Sequence, residues 1–175
     1  MNSVPRAVLA DDERLMRDQL RARLAEVWPE LQVVGEAKNG TEAVALVEQH
    51  RPDIVFLDIR MPGLTGVEAA KQIAQMEVAD DELLPEIVFI TAYDQYAVEA
   101  FEQGVADYVL KPAERERLQV TVDRIRQRLA RGLGLSELGA GPAREQVGPV
   151  VGDRRGVPAV ESDHIAQQAR GLAWR

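Results

Sequence analysis

Short apolar runs alternate with helical patterns along residues 1–130. Five of these runs are rich in strand-forming residues and end close to Gly, Pro or Asp: 7–10, 31–36, 54–57, 87–91 and 107–110. Between them, apolar residues recur three and four positions apart, which predicts helices over about 13–27, from 39 onward, and over about 65–76, 95–103 and 114–130. Strands that alternate with helices in this way predict a parallel sheet covered by helices on both faces.

Helix starts and helix faces also follow from the pattern. Asn39 precedes Glu42 by three positions, and Thr65 precedes Glu68 by the same spacing, which indicates two N-terminal caps. The last predicted helix carries one apolar stripe, formed by Leu118, Val122, Ile125 and Leu129. We expect this stripe to pack against the sheet.

Composition changes after Arg131. Gly and Pro recur from there to the end of the 175-residue chain, in a composition typical of a linker. We therefore predict one domain over residues 1–130, followed by a Gly/Pro-rich linker or tail over 131–175. The tail is expected to be flexible and to hold no complete output domain.

Charge and residue inventory exclude several kinds of protein. Cys is absent and His occurs twice, which excludes disulfides, thiol nucleophiles and multi-histidine metal sites. Residues 1–130 carry 24 acidic and 15 basic side chains, so this domain should repel nucleic acid and attract divalent cations. No apolar run is long enough to cross a bilayer and no signal-peptide pattern is present, so we expect a cytoplasmic location.

Chemically active side chains follow the predicted strands. They are Asp11, Asp12 and Glu13 after the first strand, Asp58 after the third, Thr91 at the end of the fourth and Lys111 after the fifth. The carboxyl ends of parallel strands meet at one edge of a sheet, so these groups should converge. Clustered carboxylates repel one another unless a hard cation such as Mg²⁺ neutralises them. An ionised Asp can attack phosphorus, and the cation, a lysine and a threonine hydroxyl would stabilise the developing charge, so the set predicts phosphorylation of an aspartate.

The same residues form motifs that resemble a known family. Asp11-Asp12, the LDIRMPG run over 57–63, Thr91-Ala92 and the YVLKP run over 108–112 together resemble the receiver domain of bacterial response regulators. The resemblance covers about residues 5–130 and implies a flavodoxin-like (βα)5 fold, a doubly wound parallel sheet with strand order 2-1-3-4-5. It also implies a phosphoacceptor switch with self-catalysed phosphotransfer and slow autodephosphorylation rather than an enzyme with steady turnover.

The resemblance implies a phosphoacceptor and its metal ligands. Asp58 would accept a phosphoryl group from a cognate histidine kinase. Mg²⁺ would be bound directly by Asp12, Asp58 and the backbone carbonyl of Arg60, and Asp11 would act on it mainly through water.

The resemblance also implies how phosphorylation is sensed. Thr91 and Lys111 would contact the phosphoryl group, and the ring of Tyr108 would turn inward when Thr91 moves. The peptide bond before Pro112 would be cis and would aim the lysine into the cleft.

A narrower resemblance covers residues 91–112, which are similar to receivers that precede a LytTR-type DNA-binding domain. It implies transcription regulation through an output domain absent from this chain, and homodimerisation through the fourth predicted helix, the fifth strand and the fifth predicted helix. The fifth helix carries arginines that we interpret as a solvated surface: Arg115, Arg117, Arg124, Arg126 and Arg128. Functionally, they would form a partner face opposite Glu99 and Glu102 on the fourth helix.

Three alternatives stay open. The chain could be a stand-alone receiver that acts by protein–protein interaction, or a module of receiver shape that never binds phosphate. It could also be a Mg²⁺-dependent phosphohydrolase with an aspartate nucleophile. Against the hydrolase, residues 11–15 read DDERL and lack the Asp-x-Asp-x-Thr spacing of the haloacid-dehalogenase type.

Overall fold

The computed structural model describes residues 3–95, 97, 100 and 104–138. In chain order the elements are β1 (Arg6–Ala10), α1 (Arg14–Val27), β2 (Gln32–Ala37), α2 (Gly40–His50), β3 (Ile54–Leu57), α3 (Gly66–Ala74), β4 (Glu86–Thr91), β5 (Asp107–Leu110) and the C-terminal helix (Arg115–Leu138). Each strand begins and ends within one residue of its predicted position. Among the described residues, no helix combines the length and the apolar character needed to cross a membrane.

The five strands form one parallel sheet in the order β2-β1-β3-β4-β5, which confirms the predicted fold and strand order. The chain moves outward from β1 to β2 on one side and from β3 to β5 on the other. β1 and β3 are therefore neighbours at the point where the order reverses. In open parallel sheets, the crevice for ligands lies beyond the carboxyl ends of the strands at this reversal.

Apolar side chains pack on both faces of the sheet. Along β3, Val55 and Leu57 belong to the cluster that contains buried residues of α2 and α3. Ile54 and Phe56 point to the opposite cluster, with α1 and the C-terminal helix. All four residues of β3 are buried, which is why the strand reads as an uninterrupted apolar run.

The predicted caps and the predicted helix stripe are present. The Asn39 side chain accepts a hydrogen bond from the backbone N–H of Glu42 at 2.8 Å. Thr65 and Glu68 form a reciprocal capping box, with bonds of 3.2 and 3.0 Å. Leu118, Val122 and Ile125 of the C-terminal helix are fully buried, and Leu129 packs against them at the edge of the cluster.

The C-terminal helix is longer than predicted. We expected it to end at 130, and it continues to Leu138, the last described residue, so it includes the first residues of the predicted linker. Gly in a helix interior costs about 1 kcal/mol relative to Ala, which is why composition suggests an end near Gly132. In the structure, a Cβ at Gly132 would lie 3.2 Å from Leu83 Cδ1. The glycine therefore allows the helix to pack closely on the segment before β4, a tertiary contact that composition does not reveal.

Two predicted segments lie mostly or wholly outside the described residues. Of the helix predicted over 95–103, only 95, 97 and 100 are described, and 97 and 100 are helical. Glu99 and Glu102 lie outside them, and so does the predicted tail from residue 139 onward.

Candidate acidic phosphoacceptor site

The sheet brings together the carboxylates that the sequence places after β1 and β3. Asp11, Asp12 and Asp58 each contribute one carboxylate oxygen to a cluster, and these three oxygens all lie within 4.8 Å of one another. Asp11 and Asp58 are buried, whereas Asp12 is exposed. The backbone N–H of Asp58 donates to the carbonyl of Ala10 at 2.8 Å, so the pairing of β1 and β3 continues to the site itself.

Asp58 has one satisfied carboxylate oxygen and one unsatisfied one. Its Oδ2 accepts a hydrogen bond from Lys111 Nζ at 2.9 Å. Its Oδ1 is buried and has no hydrogen-bond partner within the described part of the chain. A buried carboxylate oxygen without a donor is unfavourable unless a cation or an incoming group satisfies it. The buried Oδ1 is therefore open to a cation or to an incoming group.

Lys111 bridges two of the three carboxylates. Its Nζ lies 2.6 Å from Asp11 Oδ2 and 2.9 Å from Asp58 Oδ2. Burial lowers the pKa of Lys111, but the hydrogen bonds and the negative charges of Asp11 and Asp58 outweigh burial and hold that pKa above its ordinary value. The ammonium group is therefore charged over the whole physiological pH range and ready to pair with an anion.

The donor set fits Mg²⁺. Hard divalent cations of this size prefer carboxylate, carbonyl and water oxygens, and they usually keep several waters. Asp12 is exposed and its side chain makes no hydrogen bond among the described residues, and the Asp58 carboxylate is only partly satisfied there. Asp11 is already engaged, since its Oδ1 accepts from the Glu13 N–H at 2.9 Å and its Oδ2 accepts from Lys111. An indirect role for Asp11 is consistent with these bonds.

Thr91 and Tyr108 are joined through the backbone of Tyr93. The Thr91 hydroxyl is fully buried and accepts a hydrogen bond from the Tyr93 N–H at 3.4 Å. The Tyr108 hydroxyl donates to the Tyr93 carbonyl. The ring of Tyr108 is buried, with its centroid 6.0 Å from that of Phe89.

Tyr93 also contacts the segment that follows Asp58. The guanidinium of Arg60 lies 4.2 Å from the centroid of the Tyr93 ring, within the range of a cation–π contact. Nothing in the sequence pattern marks Tyr93, because its contacts depend on how the ends of β3, β4 and β5 meet.

The peptide bond between Lys111 and Pro112 is cis, as the family resemblance implies.

Gly66 is a site-supporting residue that sequence reasoning missed. A Cβ at this position would lie 1.9 Å from the Asp58 carbonyl oxygen, so only glycine allows the start of α3 to approach β3 this closely. The Gly66 N–H donates to the Ile59 carbonyl at 2.8 Å. A glycine directly after the capping residue Thr65 is the signal that could have identified it.

The arginines of the C-terminal helix differ from the predicted solvated surface. Arg117 forms a two-point ion pair with the fully buried Asp107, with both N–O distances at 2.8 Å, and Arg124 approaches the same carboxylate at 2.9 Å. The Thr121 hydroxyl donates to it at 2.7 Å. Burial raises the pKa of Asp107, but the hydrogen bonds from Arg117, Thr121 and the Tyr108 backbone outweigh burial and hold that pKa below its ordinary value.

Two more arginines of this helix are also engaged. Arg128 pairs with Glu86 at 2.8 Å. Arg126 lies over the ring of Trp28 and pairs with Glu30 at 3.3 Å. Arg115 is exposed, as predicted.

The parallel sheet, its point of reversal and the acidic crevice define a class: doubly wound α/β proteins with a ligand crevice at the carboxyl ends of the strands. Comparison with known families agrees, because residues 7–123 match the model described as the response regulator receiver domain. The chain belongs to this family, whose members are phosphoacceptor switches rather than classical enzymes.

Individual relatives carry related names. An uncharacterized response regulatory protein of Vibrio cholerae is 48% identical over 136 residues, which cover 78% of this chain and 50% of that protein. The transcriptional regulatory protein BtsR of Salmonella typhimurium is 43% identical over 122 residues, 70% of this chain and 48% of that protein. The chain thus spans about half the length of the curated relatives it matches.

Solved structures show the same architecture. The response regulatory domain of protein mrkE from Klebsiella pneumoniae superposes with a TM-score of 0.64 at 30% identity, covering 72% of this chain and 98% of that one. The REC domain of AraT from Geobacillus stearothermophilus gives a TM-score of 0.62 at 33% identity, covering 75% of this chain and 99% of that one.

Proposed function

We propose that this chain is the receiver of a two-component response regulator and that a histidine kinase phosphorylates it on Asp58 in a Mg²⁺-dependent reaction. The observation that carries the proposal is the state of the Asp58 carboxylate. Its Oδ2 is held by Lys111 at 2.9 Å, and its buried Oδ1 has no partner within the described residues. One oxygen is thus oriented and the other is left to react.

The residues of the site divide the work of phosphotransfer. Asp58 Oδ1 attacks phosphorus in line with the leaving imidazole, the P–N bond breaks with its electron pair going to nitrogen, and an acyl phosphate forms. Bound Mg²⁺ would neutralise the carboxylates and the oxygens of the transferred group. Asp12, Asp58 and the Arg60 carbonyl would hold it, with Asp11 acting through water. Lys111, already protonated, pairs with the transferred group in place of a carboxylate.

The crevice beside Asp58 is the route for the phosphodonor. It has a volume of about 310 Å³ and is lined by Met16 and Leu20 of α1 together with Pro112 and Ala113. An apolar wall next to a reactive carboxylate suits a helix that presents a phosphohistidine. We propose that the cognate kinase approaches here, in the cytoplasm.

Phosphorylation would be read out through Tyr93. The Thr91 hydroxyl, drawn toward the phosphoryl group, releases the Tyr93 N–H, while the Tyr93 carbonyl holds the Tyr108 hydroxyl. A shift of Thr91 is therefore communicated to β5 and to the surface beside it. This geometry supports a switch that includes β5 and the C-terminal helix, and we propose that the segment predicted as the fourth helix belongs to the same surface.

We further propose that this surface mediates homodimerisation. Leu110 on the edge strand β5 is 48% exposed, and Val120 on the C-terminal helix is 49% exposed. Leu110→Asp should abolish the dimer that forms with a phosphoryl mimic, measured by sedimentation velocity, whereas Leu15→Asp on α1 should leave it intact. A mass that stays monomeric with the mimic in the unaltered chain would refute this proposal.

We propose a LytTR-type DNA-binding domain as the output. The receiver domain over residues 1–130 is acidic and unsuited to binding DNA, so contact with DNA requires a second domain. The relatives are about twice as long as the matched region, and BtsR is named a transcriptional regulatory protein, which supports an output of this kind.

The test of phosphotransfer is the intact mass after incubation with acetyl phosphate. One added phosphoryl group is expected with Mg²⁺, and none with EDTA or in Asp58→Asn. Asp80→Asn, in the segment before β4, is the matched control and should be phosphorylated like the unaltered chain. Phosphorylation of Asp58→Asn would overturn the assignment, and continuous release of phosphate would favour the phosphohydrolase.

A further inference from the structure

The β1–α1 loop carries two of the three acidic side chains, and it is held from both sides at Asp11. The Asp11 N–H donates to the carbonyl of Ala37, the last residue of β2, at 3.0 Å. The Asp11 carbonyl accepts from Arg17 Nη1 at 2.6 Å. Asp12 follows directly and is exposed, and its side chain makes no hydrogen bond among the described residues. Its position is therefore set by the anchored residue beside it.

Arg17 is unusual among the α1 arginines in being largely buried. Its side chain is 15% exposed, whereas that of Arg21, one turn later, is 51% exposed. Burying a guanidinium is unfavourable unless it is paired. The partner of Arg17 is Glu36, near the end of β2. Glu36 Oε1 lies 3.5 Å from Arg17 Nε, although this Nε makes no hydrogen bond within the described residues.

These contacts form a chain from sheet to loop. Glu36 neutralises Arg17 by charge, and Arg17 donates a short hydrogen bond to the backbone of Asp11. We propose that Arg17 is a positioning residue that fixes the β1–α1 loop, so that Asp11 and Asp12 are presented to Mg²⁺ in the geometry needed for tight binding. This inference rests on the proposed Mg²⁺ site.

A positioning role and a purely electrostatic role of Arg17 predict opposite effects of its removal on the affinity for Mg²⁺. A positive charge beside an acidic cluster repels a divalent cation, so its removal should tighten Mg²⁺ binding if charge were its only influence. If Arg17 holds the loop, its removal should weaken binding instead. Groups that orient metal ligands typically change metal affinity by roughly 10-fold to 100-fold when they are altered.

The test is isothermal titration calorimetry of the full chain with Mg²⁺ alone, without a phosphodonor, which measures the Kd for Mg²⁺. Arg17→Gln removes both the charge and the bond, and Arg17→Lys keeps the charge but loses the geometry of the guanidinium. Arg21→Gln is the matched control, because Arg21 lies on the same helix and pairs with the same Glu36 at 2.7 Å but makes no bond to the loop. Circular dichroism verifies folding, and Arg17→Lys carries the test where Arg17→Gln does not fold.

The expected result is a Kd for Mg²⁺ that rises roughly 10-fold in both Arg17 variants and stays within about twofold in Arg21→Gln. Tighter binding by Arg17→Gln with unchanged binding by Arg17→Lys would show a charge effect alone and overturn the inference. Unchanged affinity in both variants, even with lowered thermal stability, would assign Arg17 a purely structural role and also overturn it. Failure of the unaltered chain to bind Mg²⁺ would instead remove the proposed metal site itself.

Discussion

Arg117→Gln should destabilise the fold by breaking the ion pair that anchors the C-terminal helix to β5. The substitution removes both 2.8 Å contacts to Asp107 and the bond from Arg117 to the Tyr108 carbonyl at 3.2 Å. Asp107 is fully buried, so it keeps its charge only through its remaining donors, Arg124, Thr121 and the backbone N–H of Tyr108.

The magnitude follows from what is lost and what remains. Removing one partner of a buried pair costs about 3–5 kcal/mol when the other charge is left alone. Here Arg124 still neutralises Asp107, and the Arg117 side chain is 39% exposed, so we expect about 2 kcal/mol. For a domain of this size, that corresponds to a drop in Tm of about 4–8 °C.

Urea denaturation followed by circular dichroism measures the effect. Arg115→Gln, an exposed arginine at the start of the same helix, is the control and should change the free energy of unfolding by less than about 0.5 kcal/mol. Equal behaviour of Arg117→Gln and Arg115→Gln would refute the reasoning. A double-mutant cycle with Asp107→Asn should show strong non-additivity, since both side chains belong to one network.

Three further predictions concern the pH dependence of stability, the packing of the site and the transfer step. Folding lowers the pKa of Asp107 from its ordinary value of 3.8, so the ionised carboxylate stabilises the fold above pH 3.8, and this stabilisation is lost as the pH falls through the pKa of the folded state. In urea titrations at several pH values, the free energy of unfolding of Asp107→Asn should therefore decrease less steeply toward acid pH than that of the unaltered chain. Gly66→Ala, whose Cβ would lie 1.9 Å from the Asp58 carbonyl oxygen, should lower the free energy of unfolding in urea by about 3 kcal/mol or more, whereas the added Cβ in Gly35→Ala meets only the flexible side chain of Leu46 and should lower it by less than half as much. Lys111→Gln should slow phosphorylation by acetyl phosphate about 100-fold in a mass time course, and equal rates in Lys111→Gln and the exposed-site control Lys38→Gln would contradict its role.

The strands and the acidic cluster were predictable because each depends on local pattern plus one topological rule. β3 is an apolar run of four residues, and Asp58 follows it directly. Once the sheet is parallel, the carboxyl ends of β1 and β3 must meet, so Asp11 and Asp58 converge without any knowledge of loops. The caps at Asn39 and Thr65 were predictable for the same reason, since a cap and its partner are three residues apart.

Contacts between elements distant in the chain were not predictable in this way. Arg117 and Asp107 are read from the sequence as a surface charge and a strand residue, and only the packing of the helix on β5 brings the half-buried arginine onto the fully buried carboxylate. Arg17 likewise reads as one more basic residue on α1, although the fold buries it between β2 and the acidic loop. The continuation of the C-terminal helix beyond 130 was missed because composition reads Gly132 as a helix end and does not encode its approach to Leu83.

The most direct test of the account is to locate the phosphoryl group in the unaltered chain. After incubation with acetyl phosphate and Mg²⁺, borohydride reduction converts an aspartyl phosphate to homoserine, and peptide mass spectrometry identifies the position. The account predicts homoserine at position 58 alone, dependent on Mg²⁺ and absent with EDTA. Labelling at Asp11 or Asp12, or equal labelling of Asp58 without Mg²⁺, would contradict it.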